Sequence, residues 1–152
     1  MKVFRIVQDK KRAEDLSGTG AFRWGGRWNS KGVYMLYTSE NSSLALLENL
    51  VHFDEGEIPP QLYLAEYEIA DSAPIYTLPE TAYHKDWLGL ALLENQKQGD
   101  RWMAEKKYMG IKVRSAINPV DFNYLLNPLY PRFQSLLKII YVKEIRVDSR
   151  LD

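Results

Sequence analysis

The chain contains no cysteine, which removes disulfides, thiolate nucleophiles and cysteine-ligated zinc together. Its only histidines are His52 and His84, so imidazole chemistry is not expected and no metal site is foreseen. Lys plus Arg and Asp plus Glu number 20 each, a formal net charge of zero. No global field draws the chain to nucleic acid, and direct DNA or RNA binding is disfavoured. A charge near zero also lowers colloidal solubility, which points to life with a partner or as an oligomer. No apolar run approaches membrane-spanning length, so no membrane association is expected. The first residues, Met1 to Val7, read as a strand and lack the features of a signal peptide, so a cytoplasmic location is the default. The glycine pairs Gly18/Gly20 and Gly25/Gly26 lack the lysine, helix and spacing of a P-loop or dinucleotide fingerprint. A conventional nucleotide fold is therefore not expected.

What remains is an ordinary globular composition of 152 residues, 45% hydrophobic and 26% charged. That length builds one domain with a real core and is too short for two comfortable ones. Strands and helices interleave along residues 1–152, predicting a single α+β unit. Val3 to Val7 is the first strand, followed by a polar, glycine-rich stretch from Gln8 to Lys31 broken by a short turn at Ala13 to Leu16. Val33 to Thr38, rich in β-branched and aromatic residues, is the second strand. Ser39 or Asn41 can cap a helix over Ser42 to Phe53, with Asp54 and Gly56 ending it.

Leu62 to Ile69 is predicted to be a third strand, with Tyr63, Ala65, Tyr67 and Ile69 towards the core and Glu66 and Glu68 in water. Pro74 to Pro79 is extended. Two short helices, Trp87 to Gln98 and Asp100 to Lys107, are expected around Gly99. Ile111 to Arg114 is a short strand. Asn118-Pro119 and Asn127-Pro128 are turn signals around Tyr124 to Leu126, Pro131 opens a short helix ending near Leu137, and Ile139 to Val147 closes the fold.

Three residues on successive elements carry the chemistry. Leu44, Leu47, Glu48 and Val51 follow the i, i+3, i+4, i+7 stripe, which places the Glu48 carboxylate on an apolar helix face. Burying it costs several kcal/mol, on the order of magnitude usual for an uncompensated carboxylate, unless it pairs with a cation or faces a polar cleft. An ion pair with an arginine that merely closes the fold is the competing explanation. Arg27 follows two glycines that permit a tight turn, an arrangement suited to presenting a guanidinium fork to a diphosphate. An exposed turn arginine fits the same triplet. Tyr37, near the end of its strand, suits stacking on a planar heteroaromatic ring or ordinary cross-strand packing. Ser115 has no nearby histidine and no nucleophile elbow, so it is rejected as a hydrolase nucleophile; a hydrogen-bonding role stays open.

Taken in order, Phe4-Arg5-Ile6, Gly25-Gly26-Arg27-Trp28-Asn29-Ser30, Tyr37-Thr38-Ser39, Leu44-Ala45-Leu46-Leu47-Glu48, Val113-Arg114-Ser115-Ala116-Ile117 and Asn123-Tyr124-Leu125-Leu126-Asn127-Pro128 closely resemble the RES domain family, along essentially the whole chain. The resemblance implies a fold like that of the ADP-ribosyltransferases, with mixed or antiparallel sheets and short flanking helices. It implies a toxin of a type II toxin–antitoxin pair that consumes NAD⁺ as substrate, by hydrolysis or phosphorolysis of the nicotinamide–ribose bond or by transfer of ADP-ribose to a protein.

Arg27, Glu48 and Ser115 match the three naming positions, Tyr37 a family tyrosine, and Arg5 a further substrate-contacting arginine of some members. On that resemblance Arg27, Tyr37 and Glu48 are the catalytic residues, and Arg5, Arg27, Tyr37 and Ser115 bind NAD⁺. The implied partner is an Xre-like helix-turn-helix antitoxin whose C-terminal part blocks the cleft, within a homodimer or larger complex. Arg114 and Tyr130 depart from the family pattern, at the residue before the serine and after Asn-Pro-x. Cleavage through an oxocarbenium-like state normally engages two carboxyl groups. A single glutamate suffices here because nicotinamide leaves as a neutral molecule and needs no general acid. A non-catalytic module with an aromatic partner-binding surface is the reading from another class.

Overall fold

The computed structural model describes all 152 residues. Seven strands form one mixed sheet: β1 (Lys2–Val7), β2 (Leu36–Ser39), β3 (Gln61–Ile69), β4 (Ile75–Thr77), β5 (Gly110–Arg114), β6 (Phe122–Leu126) and β7 (Leu137–Arg146). Their spatial order is β4-β5-β6-β2-β1-β3-β7. Every pairing is antiparallel except that of β4 with β5. Five helices flank the sheet: α1 (Lys10–Glu14), α2 (Thr19–Trp24), α3 (Ser42–Leu50), α4 (Leu93–Glu105) and α5 (Phe133–Leu136). This is the α+β architecture that the interleaved pattern predicted.

Strand alternation sorts side chains onto two faces. On one face, Val3 and Val7 of β1, Leu36 of β2, Ala65 and Tyr67 of β3 and Leu126 of β6 form a core with Ala13 of α1 and with Phe133 and Leu136 of α5. The other face is covered in two separate parts. Ala45 of α3 packs over Ile6, Leu62 and Leu64, while Trp28, Trp102 and Met103 pack over Ile111, Val113 and Leu125. Between these covers lie β2 and β6, whose polar side chains Ser39 and Asn123 stand directly opposite each other in the ladder.

Several expectations need correction. The Gln8–Lys31 stretch is not a long loop, because Asp9 caps α1 through its side chain and α2 follows at Thr19. The second strand starts at Leu36 rather than Val33. Asn41 is the cap of α3, accepting the Leu44 N–H at 2.8 Å, and the helix ends at Leu50. Its buried side is Leu44 and Ala45, whereas Leu47 and Val51 are 41% and 59% exposed. Between the two Asn-Pro turn signals, where no element was assigned, runs a strand, β6. Leu62 and Leu64 are also buried and Glu66 is only 7% exposed, so β3 is covered on both faces.

Helix α4 runs unbroken through Gly99. A glycine normally weakens a helix interior, yet here the missing side chain makes room for another segment: a Cβ would collide with the Trp28 backbone. Trp28 is thereby pressed onto α4, where it stacks on Trp102 with ring centroids 5.6 Å apart.

Candidate active site

The sheet brings Glu48, Ser115 and Asn123 together from residues far apart in sequence. Ser115 follows directly on β5, and its hydroxyl donates to Glu48 Oε1 at 2.7 Å. The same Ser115 Oγ accepts the backbone N–H groups of Ile117 and Asn118 at 3.0 and 3.1 Å. A hydroxyl has one proton and two lone pairs, so those two N–H donors leave its proton a single direction, towards the carboxylate. Asn123 Nδ2 donates to the same Oε1 at 2.6 Å, and Ser39 Oγ donates to Asn123 Oδ1 at 2.7 Å. Glu48 is half-buried, and its Oε2 has no protein partner and is open to solvent. The carboxylate forms no ion pair; neither Arg27 nor any other cation closes on it.

Tyr37 stands two residues before Ser39 on the same strand face. Its ring packs in the cluster built around Trp28 and Leu125. Its hydroxyl donates to Asn29 Oδ1 at 2.7 Å and accepts the Trp28 N–H at 3.0 Å. Burial pushes the phenol well above its ordinary value of about 10, so Tyr37 stays protonated at neutral pH and is not a base. A Cβ on Gly26 would meet the Tyr37 hydroxyl at 2.6 Å, which explains why a glycine precedes Arg27. Asn29 is fully buried and spreads its amide over the carbonyls of Ala21, Ser30 and Val33. Helix α4 completes the clasp, with Gln96 donating to the Gly26 carbonyl and Asp100 accepting the Ser30 N–H. The glycine-rich loop is therefore rigid.

Arg27 projects from that rigid loop. Its Nη1 donates to the carbonyls of Trp87 and Gly89 at 2.9 and 3.1 Å, which holds down an apolar turn containing the exposed Leu88 and Leu90. Nε and Nη2 make no hydrogen bond to the protein, leaving one edge of the guanidinium without a protein partner. Asn95 of α4 shares the grip through its donation to the Trp87 carbonyl at 2.8 Å, while its own buried Oδ1 is left without a partner.

Arg5 is placed elsewhere. In β1 it alternates with Phe4 and Ile6, which turn towards α3, so it projects to the opposite face beside Val3 and Val7. There its Nη1 donates to the carbonyls of Arg12 and Asp15 at 2.7 and 3.1 Å, fastening the end of α1. Of the residues singled out from sequence, the structure gathers Arg27, Tyr37, Glu48 and Ser115 on one sheet face and separates Arg5 from them. Asn123 and Ser39 were missed as participants. Their signal lies in the ladder position that sets them opposite each other, and the sequence reading assigns no strand between the two Asn-Pro turn signals.

A family model described as the RES domain matches residues 2–148. The chain belongs to the RES domain family. A Yersinia enterocolitica relative named Toxin Res is 32% identical over 152 residues, 99% of each chain. A Sphingobium relative named Prs ADP-ribosylating toxin is 35% identical over 137 residues, 84% of this chain and 83% of its own. Among solved structures, the M. tuberculosis MbcT–MbcA toxin–antitoxin complex contains a chain of the same fold, with a TM-score of 0.75 and 17% identity over 95% of this RES domain and 84% of that chain. In this RES domain the glutamate and serine of the family pattern are in direct contact, while the arginine stands on a separate, braced loop.

Proposed function

We propose that this RES domain is the toxin of a toxin–antitoxin pair and that it cleaves the nicotinamide–ribose bond of NAD⁺. One observation carries the reading: Glu48 is held through Oε1 alone, and Oε2 is presented, unpaired, to the open part of the sheet. A carboxylate fixed in this way suits a developing oxocarbenium ion, because an oriented charge needs no reorganisation as the reaction proceeds. The C1′–N bond breaks and its electron pair returns to the pyridinium nitrogen, releasing neutral nicotinamide. Water then adds to C1′ and a proton leaves to solvent, so the products are ADP-ribose, nicotinamide and H⁺. With phosphate or a protein nucleophile as acceptor, the same cation is captured by that group.

The free Nε and Nη2 of Arg27 supply a fork for the diphosphate. The packed ring of Tyr37 borders the nicotinamide end, and its hydroxyl is already committed to the loop. Ser115 acts here through Glu48. Transfer of ADP-ribose to a protein is the second reading, favoured by the name of the Sphingobium relative and by the exposed Leu47 of α3 and Val51 just past its end, near Glu48. The same apolar strip suits an antitoxin segment lying over the site, and an Xre-like helix-turn-helix protein is the proposed partner.

The test is to mix the purified protein with NAD⁺ and follow free nicotinamide, with and without phosphate and candidate proteins. Release in buffer alone marks water as acceptor, and a dependence on phosphate or protein marks the other two. Glu48→Gln is expected to lower release by at least about a hundredfold, the scale for losing one oriented electrostatic group. Because the carboxylate has no cationic partner, the thermal midpoint should barely move. No nicotinamide release from well-folded wild-type protein would sink the reading.

A further inference from the structure

We infer that Asn123, with Ser39 behind it, is a positioning residue that selects which oxygen of Glu48 meets the substrate; this rests on the proposed cleavage of NAD⁺. A carboxylate held at one oxygen by a single hydroxyl still pivots about its terminal bond and exchanges its two oxygens. Here two donors from different segments converge on Oε1, Ser115 Oγ just past β5 at 2.7 Å and Asn123 Nδ2 of β6 at 2.6 Å. Both bonds run to an ionisable acceptor and belong to the stronger class of hydrogen bonds.

The orientation of the amide is itself determined. The carboxylate only accepts, so Asn123 must turn Nδ2 towards it and Oδ1 away, and Oδ1 then receives the Ser39 hydroxyl at 2.7 Å. Reversing the amide would set an oxygen against Oε1. The relay Ser39 to Asn123 to Glu48 therefore has one sense, and its far end is the ladder pairing of Ser39 with Asn123. Its effect falls on the geometry of the reacting group rather than on the grip of the dinucleotide, which belongs to the Arg27 loop.

Steady-state kinetics of nicotinamide release test this. Asn123→Ala should lower kcat by about ten- to a hundredfold, the range for a misoriented catalytic group, with KM changed by no more than about threefold. Ser39→Ala should lower kcat by less. The double variant should be no worse than Asn123→Ala alone, because residues acting in series are not additive. Asn123→Asp should be less active than Asn123→Ala near pH 8, where two carboxylates face each other. It should recover as the pH falls towards about 5, where a shared proton restores a donor. A merely structural residue would show no such recovery.

Wild-type kcat in Asn123→Ala, a loss confined to KM, or strict additivity with Ser39→Ala would overturn the proposal. The side-chain amide resonances of Asn123 give a reading independent of NAD⁺ turnover. They should lie downfield in wild-type protein and move upfield in Glu48→Ala; an unmoved signal overturns the relay even if Asn123→Ala fails to fold. Failure of the wild-type protein to act on NAD⁺, with that shift intact, would instead discard the reaction and keep the relay.

Discussion

A Cβ placed on Gly99 would lie 1.6 Å from the carbonyl oxygen of Trp28, so helix α4 and the glycine-rich loop are in backbone-to-backbone contact. No side chain can be inserted there without driving the loop off the helix. Gly99→Ala should cost about 1–3 kcal/mol, the usual range for overpacking, despite alanine being the better helix former. Chemical denaturation measures that loss. Nicotinamide release should fall further than the stability change explains, since Asn29 and Tyr37 move with Trp28.

Arg27 predicts a change in local order as well as in ligand affinity. Its Nη1 bonds tie down the turn at Trp87 and Gly89, next to Leu90, which is 98% exposed. In Arg27→Ala, limited proteolysis should cut between Asp86 and Leu92 several-fold faster than in wild type, and KM for NAD⁺ should rise. Arg27→Lys, which keeps the charge but lacks the planar fork, should fall between the two. Unchanged cleavage would mean that the turn is held by Asn95 and ring packing alone.

For Arg5 the expectation is the reverse. Its bonds to the Arg12 and Asp15 carbonyls are exposed, so Arg5→Met should cost about 1 kcal/mol of stability, discounted for solvent screening. KM for NAD⁺ should stay within about twofold of wild type. A large rise in KM with normal stability would restore Arg5 to the substrate site.

One buried tyrosine and two half-buried ones give the stability a definite alkaline limb. Desolvation raises the phenols of Tyr37, Tyr67 and Tyr83 above their ordinary value of about 10. Above that pH the unfolded chain gives up protons that the folded protein keeps, so their contribution, fully present at neutral pH, is lost as pH rises through the folded-state values. Unfolding free energy should therefore fall steeply above about pH 10. Tyr37→Phe should be less stable at pH 7, because Asn29 and the Trp28 N–H lose a partner, yet show a shallower decline above pH 10. Equal slopes for the two proteins would refute this assignment.

Local chemistry was readable wherever neighbours in sequence decide the structure. Alternation marked β1 and β3, and Asn41 was one of the two caps offered for α3. The order of motifs along the chain also pointed to the family, and it singled out Arg27, Tyr37, Glu48 and Ser115, which the fold sets on one sheet face. What escaped was decided by distant partners. Gly99 read as a helix break because its reason, the backbone of Trp28, lies 71 positions away, counted from the residue numbers. Leu47 and Val51 fit an apolar stripe yet face outward, since the sheet meets α3 along Leu44 and Ala45. Arg5 was assigned from its motif, while the face it occupies follows from which neighbours turn towards α3. Asn123 was concealed by the two Asn-Pro signals around it.

The bonds that orient Glu48 span 67 residues to Ser115 and 75 to Asn123. The residues of α3 are synthesised long before those of β6, and until then Glu48 has neither partner. Only when Phe122 to Leu126 has been made and zipped between β2 and β5 does the relay from Ser39 have its middle member. The order of synthesis thus keeps the proposed chemistry switched off until most of the chain is present, a delay built into the topology of the sheet.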